Sequence, residues 1–414
     1  MDYTLPSDWV EIGDSLIRFI DREVAPLEHE HRALLASERT LYAEDGRYAP
    51  AVTELRRKVR MRSAELGFYT AFSAEELGGG GLGAQAAAYI QERLNAHVGP
   101  SRHLIQTVVL PSPFTNGLSP VLKHLAPAVL EDYRNALASG DKTMCFGLSE
   151  PDAGSDVFGM RTRAVRKSDG DGDHWVISGT KQWITNAPYA DYAMIFAVTD
   201  DEKARAHRGG ITGFFVHTDT PGFTVPSVIP TMGHLGADIG IVTLDQVRVP
   251  DTHRLGPVDK GLSVALDGVN AGRLSMAASC LGLARWALAQ ALAYAKVRKT
   301  FGQPISEHQA VQIMLAECGM DIYATKTMIQ HCAWLVDQGR PATKEVSIVK
   351  ASSTEMLCRV MDRCMQIHGG MGLTNELRLE AGFRFARTMR IPDGTSEIQR
   401  RTIARRLLDG DTAF

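Results

Sequence analysis

The feature that most narrows the fold is a change of periodicity along the chain. Between about Asp141 and Pro257 no long helical pattern can be written, whereas both flanks carry apolar residues at helical spacing. In the first flank, from about Ser7 to about Ser139, Ile12, Leu16, Ile17 and Ile20 recur in this way, and so do Leu55, Val59, Met61 and Leu66. Gly78–Gly81 and Pro111–Pro113 interrupt it as loops. The glycine run EELGGGGLG follows no strand and lacks the GxxxxGK[ST] form of a phosphate cradle, so it reads as a flexible surface loop. In the middle region Trp175, Val176 and Ile177 lead into a turn at Ser178–Gly179, with Lys181–Thr185 as the returning strand. Further strands are expected at Tyr192–Val198, Gly213–His217, Phe223–Val225 and Ile239–Val249.

From about Lys260 the helices lengthen. Leu274, Ala278, Leu281, Leu288 and Leu292 form an apolar stripe that reaches Tyr294. Ser306 and Gln309 have capping-box spacing behind Pro304, and their helix runs to about Gln338, where Gly339 stops it. Pro341 opens a helix reaching Ile367, a shorter one covers Leu377–Arg390, and the last starts near Ser396 with Gln399 three residues on. Helices with such short connections make a bundle. The expected division is a helical domain over 1–140, a β domain over 141–257 and a helical bundle over 258–414.

A chain of 414 residues is long enough for two or three packed domains. Its formal net charge of −3 gives no electrostatic footprint for nucleic acid or an anionic membrane. The basic tail with Arg400, Arg401, Arg405 and Arg406 reads as a solvated helix face, with a subunit contact as the alternative. Six scattered cysteines show no CxxC pair and no Cys/His cluster, so no metal is expected and the thiols read as reduced, in a cytoplasmic protein. The start MDYTLPSDWVEIGDSL lacks the basic-then-apolar pattern of a signal and the arginines of a transit peptide. No uninterrupted apolar stretch is long enough to insert in a bilayer.

Singly, the chemical motifs are weak. No GxGxxG fingerprint opens a βαβ unit, so a dinucleotide must be held in some way other than a Rossmann site. Asp393 in IPDGTSE reads as a residue of a type I turn. His368 in QIHGG reads as structural, Arg298 in YAKVRKTFG as a solvated helix-end cation, and Phe146 and Trp183 as core.

Together and in order, however, LSEPDAGSD, SGTKQWITNA, LDQVRVP, AYAKVRKTFGQPI, QIHGGMGLTNE and DGTSEIQR closely resemble the acyl-CoA dehydrogenase family, from about Glu65 to Leu408. The resemblance implies an α+β multidomain fold: an N-terminal α-helical domain, a middle β-barrel-like domain and a C-terminal four-helix bundle. It also implies FAD lying between the subunits of a homotetramer or homodimer. Phe146, Leu148 and Ser149 are implied at the flavin ring, with Trp183 and Thr185 packed on it and Ser155 near both FAD and the thioester. Arg298, Thr300 and Phe301 match a stretch reaching the pyrophosphate of a neighbouring subunit's FAD, where a cation offsets negative charge. Gln309 follows one helical turn into the next helix. Gln366, Gly369 and Gly370 match a segment at the adenosine part, where close backbone approach needs glycine. Thr395 and Glu397 fall at the start of the last helix, whose free N–H groups can meet the cofactor. Asn270 and Arg273 match positions contacting coenzyme A, and Gly394 falls with them on the substrate side.

The implied reaction removes a weakly acidic α proton by a carboxylate base while the β hydrogen leaves as hydride to flavin N5. The usual base is a glutamate in the loop before the final helix, a position held here by Asp393. An isovaleryl-type subgroup keeps its glutamate directly before the bundle arginine, and here that residue is Gly272, which closes this route. Electron-transfer flavoprotein is the implied electron acceptor. Two alternatives stand beside this reading. One is an oxidase or monooxygenase on the same fold, acting on a different carbon acid or a carrier-bound acyl group. The other is a non-catalytic flavoprotein in which Asp393 is only a turn residue.

Overall fold

The computed structural model describes residues 5–170, 172–232 and 238–413. The longer helices of the first region are α1 (Ser7–Phe19), α2 (Pro50–Glu65), α3 (Gly83–Val98) and α4 (Pro127–Ala138). Eight strands follow: β1 (Met144–Gly147), β2 (Arg163–Asp169), β3 (Gly172–Thr185), β4 (Tyr192–Val198), β5 (Ile211–His217), β6 (Phe223–Val228), β7 (Ile239–Pro250) and β8 (Arg254–Leu255). The chain ends in α5 (Gly261–Val297), α6 (Gln309–Asp337), α7 (Thr343–His368), α8 (Leu379–Met389) and α9 (Ser396–Leu408).

The strands form one mixed sheet in the order β6-β7-β3-β2-β4-β5-β8, with β1 added parallel to β4. Strand β4 is buried along its whole length, because each face meets a different core. Ala193, Ile195 and Ala197 pack with Ile177, Phe214, Val242 and Val247 inside the β region. Met194, Phe196 and Val198 pack instead with Leu122, Leu130 and Leu137 of the N-terminal helices. That two-sided burial is why Tyr192–Val198 reads as a continuous apolar run rather than an alternating one.

The bundle core is built from small residues of α5 (Ala277, Ala278, Ala284, Ala287, Ala291) against Ile329 and Cys332 of α6 and Val349, Leu357 and Val360 of α7. Helix α3 of the first region crosses α5 so closely that a Cβ at Gly282 would overlap the Glu92 carbonyl. By length and apolar content α5 passes as a bilayer-spanning helix, yet more than half of its apolar window is buried in this bundle.

Away from the Asp393 loop and its surroundings, the structure departs from the sequence expectations at four local points. Ser178–Gly179 is not a turn: β3 runs unbroken from Gly172 to Thr185, with a register shift beside Gly179. Gly179 has φ 151°, and a side chain there would overlap Thr162, so the glycine serves a bulge inside the strand. Gly78–Gly81 is a tight loop rather than a loose one. The N–H groups of Gly79, Gly80 and Gly81 donate to Ala74, Thr70 and Ser73, and a side chain at Gly79 would overlap Ser73. The Ser306/Gln309 capping box does not form, since Ile305–Glu307 is a 3-10 turn and α6 starts at Gln309 without a side-chain cap. At α9 the cap is Thr395, whose hydroxyl accepts from Ile398 N, and Gln399 turns to other work described below.

Candidate active site

Asp393 lies in the loop between α8 and α9, where Pro-Asp-Gly does not make the expected type I turn. Asp393 (φ 56°) and Gly394 (φ 91°) are both left-handed, a conformation that glycine adopts freely and aspartate tolerates better than most residues. This geometry turns the loop's two carbonyls into the protein. The Asp393 carbonyl accepts from Arg273 Nε at 2.8 Å and Gln399 Nε2 at 3.1 Å. The Gly394 carbonyl accepts from Lys350 Nζ at 2.8 Å and Gln399 Nε2 at 3.0 Å. The carboxyl itself points toward α5, where a Cβ built at Gly272 would lie 3.3 Å from Oδ2. Asp393 is half-buried, and burial pushes its carboxyl up to about 6, against the opposing pull of Lys350 and Arg273.

Phe114 links this loop to the β region. Its ring fills the space over Gly272, where a Cβ would fall within 2.7 Å of Phe114 Cζ, and it meets Phe146 edge-on at 5.1 Å. Phe146 also packs on Phe196 at 4.9 Å. Beyond it, Leu148 and Ser149 are tied to the end of β3: the Ser149 carbonyl accepts from Gln182 N at 3.0 Å and the Leu148 carbonyl from Lys181 Nζ at 3.2 Å. The buried Lys181 ammonium reaches Glu150 Oε1 at 2.7 Å, and the Glu150 carboxylate also accepts from Arg161 N at 2.6 Å and Thr162 N at 3.0 Å. Burial alone would raise Glu150, but the Lys181 charge and these donors hold it below the usual carboxylate range. Burial pushes Lys181 down to about 8, with Glu150 opposing. The Glu of LSEP and the Lys of GTKQW are therefore a structural clamp between two segments.

Outside that clamp Trp183 is 53% exposed, and Thr185 and Ser155 are exposed too. Asn270 accepts from Arg273 through Oδ1 at 3.2 Å, so Asn270, Arg273, Asp393 and Gly394 form one cluster. Thr395 caps α9, with exposed Glu397 in its first turn.

The remaining residues gather at the opposite end of the bundle. Arg298, just past the end of α5, lies 26 residues beyond Gly272, about 39 Å at 1.5 Å per residue. Thr300 bonds His308 through its hydroxyl at 3.0 Å, Phe301 is 97% exposed, and Gln309 opens α6. Gln366 in the last turn of α7 and Gly369 and Gly370 just after it lie on the same side, since His368 stacks on Tyr294 of α5 at 4.6 Å. His368 also has Nδ1 on the Cys364 carbonyl at 2.7 Å, a structural role. The sequence reading did not single out Lys350 or Phe114, and named Gln399 only as a capping partner. For Lys350 a signal existed, a lysine amid the residues that α7 buries (Val346, Val349, Thr354, Leu357).

Among the described residues no group of three His, Cys, Asp or Glu could hold a metal. A cavity of about 320 Å³ lined by Arg56, Arg57, Arg60, Asp141, Lys142 and Asp191 shares no residue with the Asp393 loop. A large flat cofactor is accommodated better elsewhere. An exposed tryptophan is an aromatic platform, and a Cβ at Gly369 or Gly370 would meet nothing within 4 Å, leaving open space beside bare backbone.

Profiles of the acyl-CoA dehydrogenase middle and C-terminal domains match residues 145–247 and 259–408. A probable acyl-CoA dehydrogenase, YngJ, of Bacillus subtilis (strain 168) is 43% identical over 292 residues, 70% of this chain and 75% of the relative. The caffeyl-CoA reductase-Etf complex subunit CarC of Acetobacterium woodii is 33% identical over 355 residues, 86% of this chain and 90% of the relative. The solved structure of butyryl-CoA dehydrogenase from Megasphaera elsdenii matches with a TM-score of 0.82 at 28% identity, covering 99% of this chain and 100% of that one. The chain belongs to the acyl-CoA dehydrogenase family, FAD-dependent oxidoreductases acting on acyl-CoA thioesters.

Proposed function

We propose that this enzyme introduces a double bond between the α and β carbons of an acyl-CoA, with Asp393 removing the α proton. FAD, when bound, supplies the acceptor for the β hydride through flavin N5. The observation that carries the reading is the Asp393 carboxyl: half-buried, raised to about 6, and aimed at Gly272 by a loop whose Asp393 and Gly394 carbonyls are engaged elsewhere. A carboxyl with that value is mostly ionised at neutral pH, yet more basic than an exposed aspartate, as proton abstraction from carbon requires.

Phe146, Leu148, Ser149, Ser155, Trp183 and Thr185 take the flavin ring, in line with the exposure of Trp183 and Thr185. Thr395 and Glu397, at the N-terminus of α9, take part in the same cofactor site. Arg298, Thr300, Phe301, Gln309, Gln366, Gly369 and Gly370 take the adenosine diphosphate end, but of a second subunit's FAD. The span of about 39 Å along α5 supports this, being longer than one extended dinucleotide. A homodimer or homotetramer follows. Asn270, Arg273, Gly394 and Ser155 face the thioester and coenzyme A, with Arg273 also bracing the loop. Electron-transfer flavoprotein is the acceptor, a reading supported by the resemblance to an Etf complex subunit. Six free cysteines fit a reducing, cytoplasmic setting.

Anaerobic titration of the FAD-loaded protein with a panel of acyl-CoAs tests the reading by flavin bleaching and appearance of the 2-enoyl product. Inert flavin across the panel overturns it, and rapid oxygen consumption without added acceptor reassigns the protein as an oxidase. Aspartate is one methylene shorter than the usual glutamate, which leaves room for a substituted α carbon. Asp393→Glu is therefore expected to shift preference from 2-branched to straight acyl chains, and equal preference in both proteins sinks that assignment.

A further inference from the structure

Lys350 sits on α7 with no exposed surface, yet it carries a full ammonium. Nothing in the packing requires a charge there, since its helical neighbours Val346, Val349 and Leu357 build an apolar core. Burying an ammonium is costly unless it is paired and hydrogen-bonded. The bond it makes within this site runs to a neutral group, the Gly394 carbonyl, at 2.8 Å. The charged and titratable groups facing it are Asp393, Arg273, Cys280 and Glu397. Burial pushes Cys280 up to about 12, so it stays a neutral thiol, and Arg273 repels Lys350. Of the two carboxylates, Glu397 is exposed on α9 and contributes least, which leaves Asp393 as the principal counter-charge. Asp393 in turn is faced by two cations, Lys350 from α7 and Arg273 from α5.

We infer that Lys350 is a positioning residue for the base: it holds the Gly394 carbonyl from beneath the loop and supplies the positive field that keeps the Asp393 carboxylate ionised and aimed at the substrate. The inference rests on Asp393 being the base and adds what governs that base. Burial alone drives the Asp393 carboxyl upward, and Lys350 is the first of the two charges that oppose it. The ammonium is held down at about 8 by the same burial, so it is charged at neutral pH and provides that field. Lysine suits this place because one amine can both donate to a carbonyl and act as a compact point charge.

The test follows the Asp393 carboxyl by difference infrared titration of FAD-loaded protein, with Asp393→Asn as the subtraction. Lys350→Met, similar in length and able to fill the same space, is expected to move the midpoint up from about 6 by on the order of one pH unit. Flavin bleaching by butyryl-CoA at pH 6.5 should then slow about threefold more than at pH 8.5, as a one-unit rise predicts. Lys350→Arg keeps the charge and should hold the midpoint near the wild-type value. An unchanged midpoint in Lys350→Met overturns the inference, as does a rise of the same size in Lys350→Arg. If Lys350→Met does not fold, Lys350→Gln carries the same expectation and the same refutation. The infrared midpoint needs no turnover, so undiminished bleaching in Asp393→Asn would remove the base assignment without deciding the Lys350 result.

Discussion

Replacing Lys181 by methionine isolates the buried pair that clamps the segments proposed to line the flavin. Lys181 is fully buried and reaches Glu150 Oε1 at 2.7 Å and the Leu148 carbonyl at 3.2 Å. Methionine fills similar space but leaves the Glu150 carboxylate buried with only the Arg161 and Thr162 N–H donors. Breaking a buried pair by removing one partner costs about 3–5 kcal/mol. At roughly 1 °C per kcal/mol for a chain of 414 residues, the unfolding midpoint should fall by about 3–6 °C. The pH dependence carries its own sign. In the wild type Glu150 is held below its ordinary 4.5, so its contribution is present above that value and lost as pH falls through the lower folded value. In Lys181→Met only the weaker N–H donors oppose burial, and the Glu150 carboxyl rises, so acidification toward pH 5 relieves the variant while the wild type still keeps its contribution. The deficit should therefore shrink between pH 8 and pH 5. Thermal unfolding by far-ultraviolet circular dichroism, run beside FAD release by fluorescence, measures both quantities. A midpoint within about 1 °C of wild type, or a deficit equal at the two pH values, would refute the clamp.

Three further outcomes follow from the same geometry. Gly272→Ala places a Cβ against the Phe114 ring and 3.3 Å from Asp393 Oδ2, so it should cost about 1–3 kcal/mol and slow flavin bleaching, with Phe114→Leu restoring part of both. The bleaching rate should rise with pH through about 6 and level off above it, because Asp393 acts only as the carboxylate and its folded value lies above the ordinary 3.8; an acid limb near 4 contradicts this. Removing residues 411–414 strips Lys344 of the Asp411 carboxylate and of the Asp411 and Ala413 carbonyls, so the truncated protein should unfold at lower temperature while an excess of FAD still loads it. An unchanged midpoint after truncation argues that this tail contact contributes nothing.

The division into helical, β and helical regions was legible because periodicity is local. A 3.6-residue spacing and a run of β-branched and aromatic residues can each be read without knowing what they pack on. Asp393 could be picked out from its place in DGTSEIQR, while its role as the base stands as a proposal. What escaped were features decided by distant residues. Gly179 reads as a turn until Thr162, just ahead of the neighbouring strand β2, takes up the space beside it. Gln399, three residues into α9, has the spacing of a capping partner, but two left-handed residues upstream turn carbonyls toward it and it binds those instead. Phe114 is an ordinary aromatic until Gly272 is seen to leave room for its ring. Lys350 was visible as a charge on an apolar face, but the loop it serves is 44 residues away in sequence, and only the fold brings the two together.

The central claim is that one short carboxyl side chain performs the proton abstraction, and Asp393→Asn tests it most directly. The shape is kept and the basicity removed, so the flavin spectrum and FAD content should match wild type. Anaerobic stopped-flow mixing with the best acyl-CoA of the panel should then show bleaching at least about a hundredfold slower than wild type. A variant that retains its FAD and bleaches within about threefold of the wild-type rate would contradict the account, because no general base can be lost at so small a penalty.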